Sequence, residues 1–191
     1  MNELSLYILD LVQNSVSAGA EHVEILITIS DADDSIEIIL VDDGCGMSEE
    51  FVKNVVSPFT TTRTTRKVGL GIPMIKELCE LCEGSFGIES KLGEGTRLTL
   101  KFRKSNIDMP PMGSLADTMV ALVNGSPVKP EFRLVYDYNG EQFEFDTEQI
   151  RALLEGVPLD TPDVLAWIRG FVIEGIEEAG KLPKSQLHSE V

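Results

Sequence analysis

Between residues 22 and 42 the aliphatic side chains fall into two runs that leave little choice of structure. Val23, Ile25, Ile27 and Ile29 recur at every second position. That spacing puts them on one face of a strand, whereas a helix would scatter them around its axis. An aspartate-rich turn follows at 31–34, and then the run 36–41 is almost continuously aliphatic. A strand that is apolar throughout is expected near the middle of a sheet. The rest of the first half fits around this pair. Leu4, Ile8, Leu11, Val12 and Val16 mark an amphipathic helix over 3–18, with Gly19 at its end. A short helix is expected over 49–56 and a longer one over 70–83, with Ile72, Ile75, Leu78, Leu81 and Cys82 on its apolar side and Gly84 after it. Two further strands are expected at 86–90 and 96–102.

Pro110-Pro111 and a loss of periodicity mark a linker over 105–111, so residues 1–104 are expected as one domain. Residues 112–180 read as a small α+β domain that carries no assignable motif. Ser114 suits the N-cap of a helix from 115, and Asn139-Gly140 signals a hairpin between strands at 132–138 and 142–145. A helix over 147–154 precedes a last one opened by Thr161-Pro162, with Trp167 expected as a core anchor. Residues 181–191 are expected to be a frayed tail.

The net charge of −16 is shared by both halves, with 10 basic and 17 acidic residues over 1–104 and 6 and 15 over 105–191. Neither half offers a face for nucleic acid or an anionic membrane. The longest apolar stretches fall far short of the roughly 18 residues that span a bilayer. The start, Met1-Asn2-Glu3-Leu4, lacks the basic region of a signal peptide. Three cysteines do not make a disulfide framework, and a cytoplasmic protein is expected. Cys79 and Cys82 sit late in a helix, away from the N-terminal position that activates redox thiols, and are expected to be buried and reduced.

Four polar motifs punctuate this framework. Asp10 and Asn14 stand four apart on one face of the first helix. An amide oxygen such as that of Asn14 is a suitable ligand for Mg²⁺, and Asp10 can orient or deprotonate a nearby water. In Asp42-Asp43-Gly44-Cys45-Gly46 a strand delivers Asp42 to a turn where glycines let a ligand approach closely. A carboxylate held there can accept from an exocyclic amine. The loop 59–67 carries Thr60, Thr61, Arg63, Arg66 and Lys67 in an otherwise acidic protein, and runs into Gly69-Leu70-Gly71 at a helix start. Basic side chains and helix N-terminal amides together favour an anion. The fourth motif, Gly93-Glu94-Gly95-Thr96, heads the last of these strands.

In this order the four motifs resemble the gyrase, heat-shock chaperone, histidine kinase and mismatch-repair ATPase superfamily, over about residues 3–103. The resemblance implies a Bergerat-type two-layer α/β sandwich, with a mixed, mainly antiparallel sheet, helices on one face, and ATP with Mg²⁺ as ligands. It implies Asn14 as the metal ligand, Asp42 as the adenine reader with Gly44 and Gly46 shaping the base pocket, and Gly69, Leu70 and Gly71 at the phosphates. Thr96 would support an adenine-bound water. The loop would act as a lid, with Thr60 and Thr61 at the nucleotide and Arg63, Arg66 or Lys67 closing on the γ-phosphate.

Two departures bear on the chemistry. The first motif of this superfamily usually opens with Glu, and here Asp10 is shorter by one carbon–carbon bond, about 1.5 Å. The only histidines are His22, at the mouth of a strand, and His188, in the tail, so no phosphoacceptor helix is evident. Self-phosphorylation of the sensor-kinase kind is therefore not expected. Three functions remain: a protein kinase acting in trans, a slow ATPase driving a conformational change, and an ATP-sensing subunit without chemistry. Each calls for a protein partner or protein substrate.

Overall fold

The computed structural model describes residues 3–56 and 71–180. Six strands form one sheet: β1 (His22–Ser30), β2 (Ser35–Asp42), β3 (Ser85–Lys91), β4 (Gly95–Arg103), β5 (Glu131–Tyr138) and β6 (Glu141–Asp146). Their order is β3-β4-β2-β1-β5-β6. Only the β1–β5 pair is parallel.

Register follows from burial. Ile25 faces Leu40, Ile27 faces Ile38 and Ile29 faces Ile36 across the β1–β2 pair, and all six are buried. Leu98, Leu100 and Phe102 of β4 and Phe132, Leu134 and Tyr136 of β5 continue the same layer. A one-residue slip would turn this whole set to the other side of the sheet. β2 is central, as expected, yet its burial alternates: Ile39 and Val41 stay half-exposed on the opposite side. Its continuous apolar run reflects two unequal faces rather than two buried ones.

Among the described residues six helices accompany the sheet: α1 (Leu4–Ser17), α2 (Glu49–Val56), α3 (Gly71–Leu81), α4 (Leu115–Gly125), α5 (Thr147–Leu153) and α6 (Pro162–Ala179). α1 packs against α3 on one side and α4 on the other, over the buried layer. The segment expected as a separate small domain extends the same sheet, through β5 and β6, and shares one hydrophobic core with the rest. The hairpin signal is local, and nothing in it told which free edge the hairpin would take. The segment expected as a linker satisfies the start of α1, which has no side-chain cap. The N–H groups of Leu4 and Ser5 donate to the carbonyls of Pro111 and Met112 at 3.0 and 2.8 Å.

Trp167 is not a core anchor. Val164, Ile168 and Val172 take the buried stripe of α6, and Trp167, one position aside, is 51% exposed and stacks on Phe171 with centroids 4.9 Å apart. No helix among the described residues is long and apolar enough to cross a membrane.

Candidate functional site

The site grows from one end of the sheet, where β2 finishes beside the start of β4. Asp42 closes β2 and lies directly opposite Thr96. Both carboxylate oxygens of Asp42 are engaged: Ser15 Oγ on α1 donates to Oδ2 at 2.6 Å, and the Gly44 N–H donates to Oδ1 at 2.9 Å. Each oxygen keeps further acceptor capacity, because an ionised carboxylate has about four lone-pair sites.

The turn after Asp42 is clamped on both sides. The Cys45 N–H donates to the Ala18 carbonyl at 3.0 Å, and the Cys45 carbonyl accepts from the Gly93 N–H at 2.8 Å. Gly46 adopts φ +65°, and a Cβ there would sit 1.9 Å from the Lys91 carbonyl oxygen. No L side chain fits that approach. Gly44 needs only room: its Cβ would meet that of Ala18 at 3.0 Å. Asp43 braces the turn from below. Its Oδ1 accepts from the N–H groups of Glu21 and His22 at 2.7 and 2.9 Å, and Oδ2 lies 2.9 Å from His22 Nδ1. Burial pushes the Asp43 carboxyl up, but these N–H groups and the His22 ring hold it below the ordinary carboxylate value.

The second cluster lies further toward the start of α1. Asp10 reaches the first residue of α3 so closely that a Cβ on Gly71 would lie 2.1 Å from Oδ2. The carboxylate therefore rests against the backbone of Gly71, the first described residue of α3. Asn14 lies between the two clusters on the same helix. Its Nδ2 is buried and makes no hydrogen bond among the described residues. The amide's nitrogen and oxygen are exchanged by a simple flip, so the group as a whole is an uncommitted ligand. A buried polar group without a partner costs about 1–3 kcal/mol, which a bound ion or phosphate oxygen would recover. From Asp10 to Ala18 the helix rises about 12 Å, at 1.5 Å per residue, enough to run alongside a base, a sugar and a phosphate chain.

Asp10, Asn14, Asp42, Gly44, Gly46, Gly71 and Thr96 are thus gathered along α1 and the adjoining strand ends. Thr60, Thr61, Arg63, Arg66, Lys67, Gly69 and Leu70 lie outside the described residues. Cys79 and Cys82 are buried, and burial pushes the Cys79 thiol up to about 12. Cys45 is exposed in the turn.

Three groups escaped the sequence reading. Ser15 lies on the buried stripe of α1, three and four residues after Val12 and Leu11. Ser90 follows Phe86 and Ile88 in phase, so a polar residue on an inward-facing position was visible. The His22–Asp43 contact joins residues 21 apart and had no local signal.

Comparison with known proteins gives the family and the fold. Residues 2–106 match the family described as histidine kinase-, DNA gyrase B-, and HSP90-like ATPases. The chain is 32% identical to sporulation kinase E of Bacillus subtilis over 107 residues, which cover 54% of this chain and 14% of that kinase. It is 29% identical over 108 residues to a putative sensor protein of Shewanella frigidimarina, covering 56% of this chain and 16% of that protein. The chain thus spans less than a fifth of these relatives' length. In fold it resembles the MutL ATPase domain of Aquifex aeolicus complexed with ADP, with a TM-score of 0.50 at 14% identity. That likeness covers 96% of this chain and 99% of the other, so it takes in β5 and β6 as well. With more than half its length matched by the family model, this chain belongs to the histidine kinase-, DNA gyrase B- and HSP90-like ATPases.

Proposed function

We propose that this protein binds ATP with Mg²⁺ and acts in trans on a separate protein, in a cytoplasmic regulatory system, either as a protein kinase or as a switch held in one shape by its nucleotide. The buried, unpartnered amide of Asn14, between Asp42 and the start of α3, carries this reading. In it, Asp42 accepts from the exocyclic amine of adenine, and Thr96, opposite, completes the base end. Asn14 provides the side-chain ligand for the ion, with phosphate oxygens and water as the others, an arrangement usual for Mg²⁺. When bound, the ion neutralises phosphate charge. The start of α3 at Gly71 presents backbone N–H groups to the phosphates. Asp10 sits at that same end, placed to accept a proton from an attacking water or from a side chain of the partner.

The short side chain of Asp10 favours holding ATP over hydrolysing it, since a base misplaced by about 1 Å can lose a hundredfold in rate. His22 is held by Asp43 on a strand, which favours a phosphoacceptor on the separate protein. A second reading, a slow ATPase that changes shape on turnover, draws on the likeness in fold to the MutL ATPase domain. Incubation with γ-labelled ATP, alone and with co-purifying proteins, separates the readings. Label on a partner supports the kinase. Free phosphate at a steady rate without a partner supports the ATPase. ATP binding with neither product supports the switch, and failure to bind ATP rejects all three.

A further inference from the structure

Beside Thr96 stands Ser90, a residue with no role in the reading above, whose hydroxyl makes three contacts. The Met47 N–H donates to Ser90 Oγ at 2.8 Å, Ser90 Oγ donates to the Gly95 carbonyl at 2.9 Å, and Thr96 Oγ1 lies 2.8 Å away. A serine hydroxyl has one hydrogen and two lone pairs. The amide of Met47 can only donate, and the carbonyl of Gly95 can only accept. If Ser90 gave its hydrogen to Thr96, two oxygens would face each other at 2.9 Å with no hydrogen between them. The arrangement that makes all three bonds has Ser90 donating to Gly95 and accepting from both Met47 and Thr96. The Thr96 proton is then committed to Ser90, and Thr96 Oγ1 faces the pocket as an acceptor only.

Asp42, directly across the strand pair, is also an acceptor with its orientation fixed by Ser15 and Gly44. We infer that Ser90 is a specificity-determining residue: by holding the Thr96 proton out of the pocket it keeps the base-reading floor free of donors. Such a floor accepts a purine with an amine at position 6 and opposes one with a carbonyl there. Leaving a buried polar group mismatched is among the strongest sources of discrimination between similar ligands. Ser90 does this without touching the base, through the proton of its neighbour. The same hydroxyl joins the turn after Asp42, through Met47, to the turn before Thr96, through Gly95, so both halves of the floor keep one relative position.

This inference rests on the assignment of Asp42 and Thr96 to the base. It is tested by calorimetric titration with ATP and with inosine triphosphate, which replaces the 6-amine by a carbonyl. The wild type should prefer ATP. In Ser90→Ala the Thr96 hydroxyl is free to turn its proton into the pocket, and the preference should fall about tenfold; Ser90→Thr, which keeps the hydroxyl, should restore it. A role confined to packing would weaken both nucleotides equally and leave their ratio unchanged, and that result overturns the proposal. Should Ser90→Ala fail to fold, Ser90→Cys, with its weaker donor and acceptor, gives the same readout. Asp42→Asn separates the two layers of the argument. A wild type without preference, or a folded Asp42→Asn protein with wild-type ATP affinity, removes the base assignment and this inference with it. A preference that Asp42→Asn abolishes and Ser90→Ala leaves intact removes only the role of Ser90.

Discussion

Two glycines in the left-handed region offer a measurement of how tightly the base turn is clamped. Gly19 and Gly46 have φ of +73° and +65°, so alanine meets a similar backbone penalty at both, about 1–2 kcal/mol. They differ in what surrounds them. A Cβ on Gly19 meets nothing within 4 Å, while one on Gly46 would lie 1.9 Å from the Lys91 carbonyl oxygen. Carbon–oxygen contacts settle at about 3.3–3.6 Å, so in Gly46→Ala the two backbones must part by roughly 1.4 Å. At that separation two hydrogen bonds between the same turns, Met47 N–H to Ser90 Oγ and Gly93 N–H to the Cys45 carbonyl, both 2.8 Å, are lost. Each contributes about 1 kcal/mol net. Gly46→Ala should therefore be less stable than Gly19→Ala by about 2 kcal/mol, which for a chain of this size is about 4–8 °C in melting temperature. It should also bind ATP at least about tenfold more weakly, while Gly19→Ala binds as wild type. Thermal melts and ATP titrations of the two variants decide the matter. Equal melting temperatures with equal affinities would show that the turn gives way without cost, and the clamped pocket would have to be abandoned.

Four further outcomes follow from the site. Asn14→Ala should fold and should lose the dependence of ATP affinity on Mg²⁺; an equal tightening by Mg²⁺ in variant and wild type assigns the ion elsewhere. Wild-type hydrolysis should be far below the roughly one per second of ordinary enzymes, and Asp10→Glu should raise it by restoring reach toward the phosphates; a fast wild type or a slower variant contradicts the role given to the short side chain. Of the three thiols, only exposed Cys45 should react with a disulfide reagent at pH 8, because Cys79 and Cys82 are buried and burial raises both; two or more equivalents without denaturant would refute this. Asp43, held below its ordinary value in the fold, lends stability that is fully present above the unfolded carboxylate range near pH 4 and disappears as pH falls through the lower folded value, so Asp43→Asn should flatten the acid limb of an unfolding titration, and an acid limb as steep as that of the wild type would refute this.

Much of this arrangement could be read from the chain because it depends on local periodicity. The alternation in β1, the caps at Ser114 and Pro162 and the Asn139-Gly140 hairpin each encode their own element. Asp42, Gly46 and Thr96 were visible as a carboxylate, a turn glycine and a strand start in a recognisable order. What could not be read are matters of partner choice. β5 pairs with β1 in parallel across more than a hundred residues, and no local rule tells a hairpin which free edge to join. Trp167 reads as a core anchor in the sequence, while the phase of Val164, Ile168 and Val172 decides the buried stripe. Ser15 and Ser90 were overlooked because a serine on an apolar stripe has no meaning until its partner across the fold is known.

Connectivity explains why motifs scattered over ninety residues meet at one place. β2 runs antiparallel to both β1 and β4, so its last residue, Asp42, arrives opposite Val23 and Thr96, each the second residue of its strand. α1 leads into β1 through a turn at Gly19, which obliges its C-terminal end to lie over that same corner; Ser15 and Ala18 meet Asp42 and the following turn for this reason. The other half of α1 then points away from the base end, and Asp10 meets the start of α3. The free edge of β1 takes β5 in the parallel sense, which brings the start of β5 to the same corner as well. There the Asp43 carboxylate holds the N–H groups of Glu21 and His22, and the Glu21 carbonyl accepts from the Glu131 N–H at 2.8 Å. Two consecutive hydrogen-bonded steps, Asp43 to Glu21 and Glu21 to Glu131, thus lead from the turn after Asp42 into β5. The C-terminal segment is fastened to the end of the sheet that carries Asp42, where movement of the turn around Gly46 and movement of the β5 start are constrained by the same few groups.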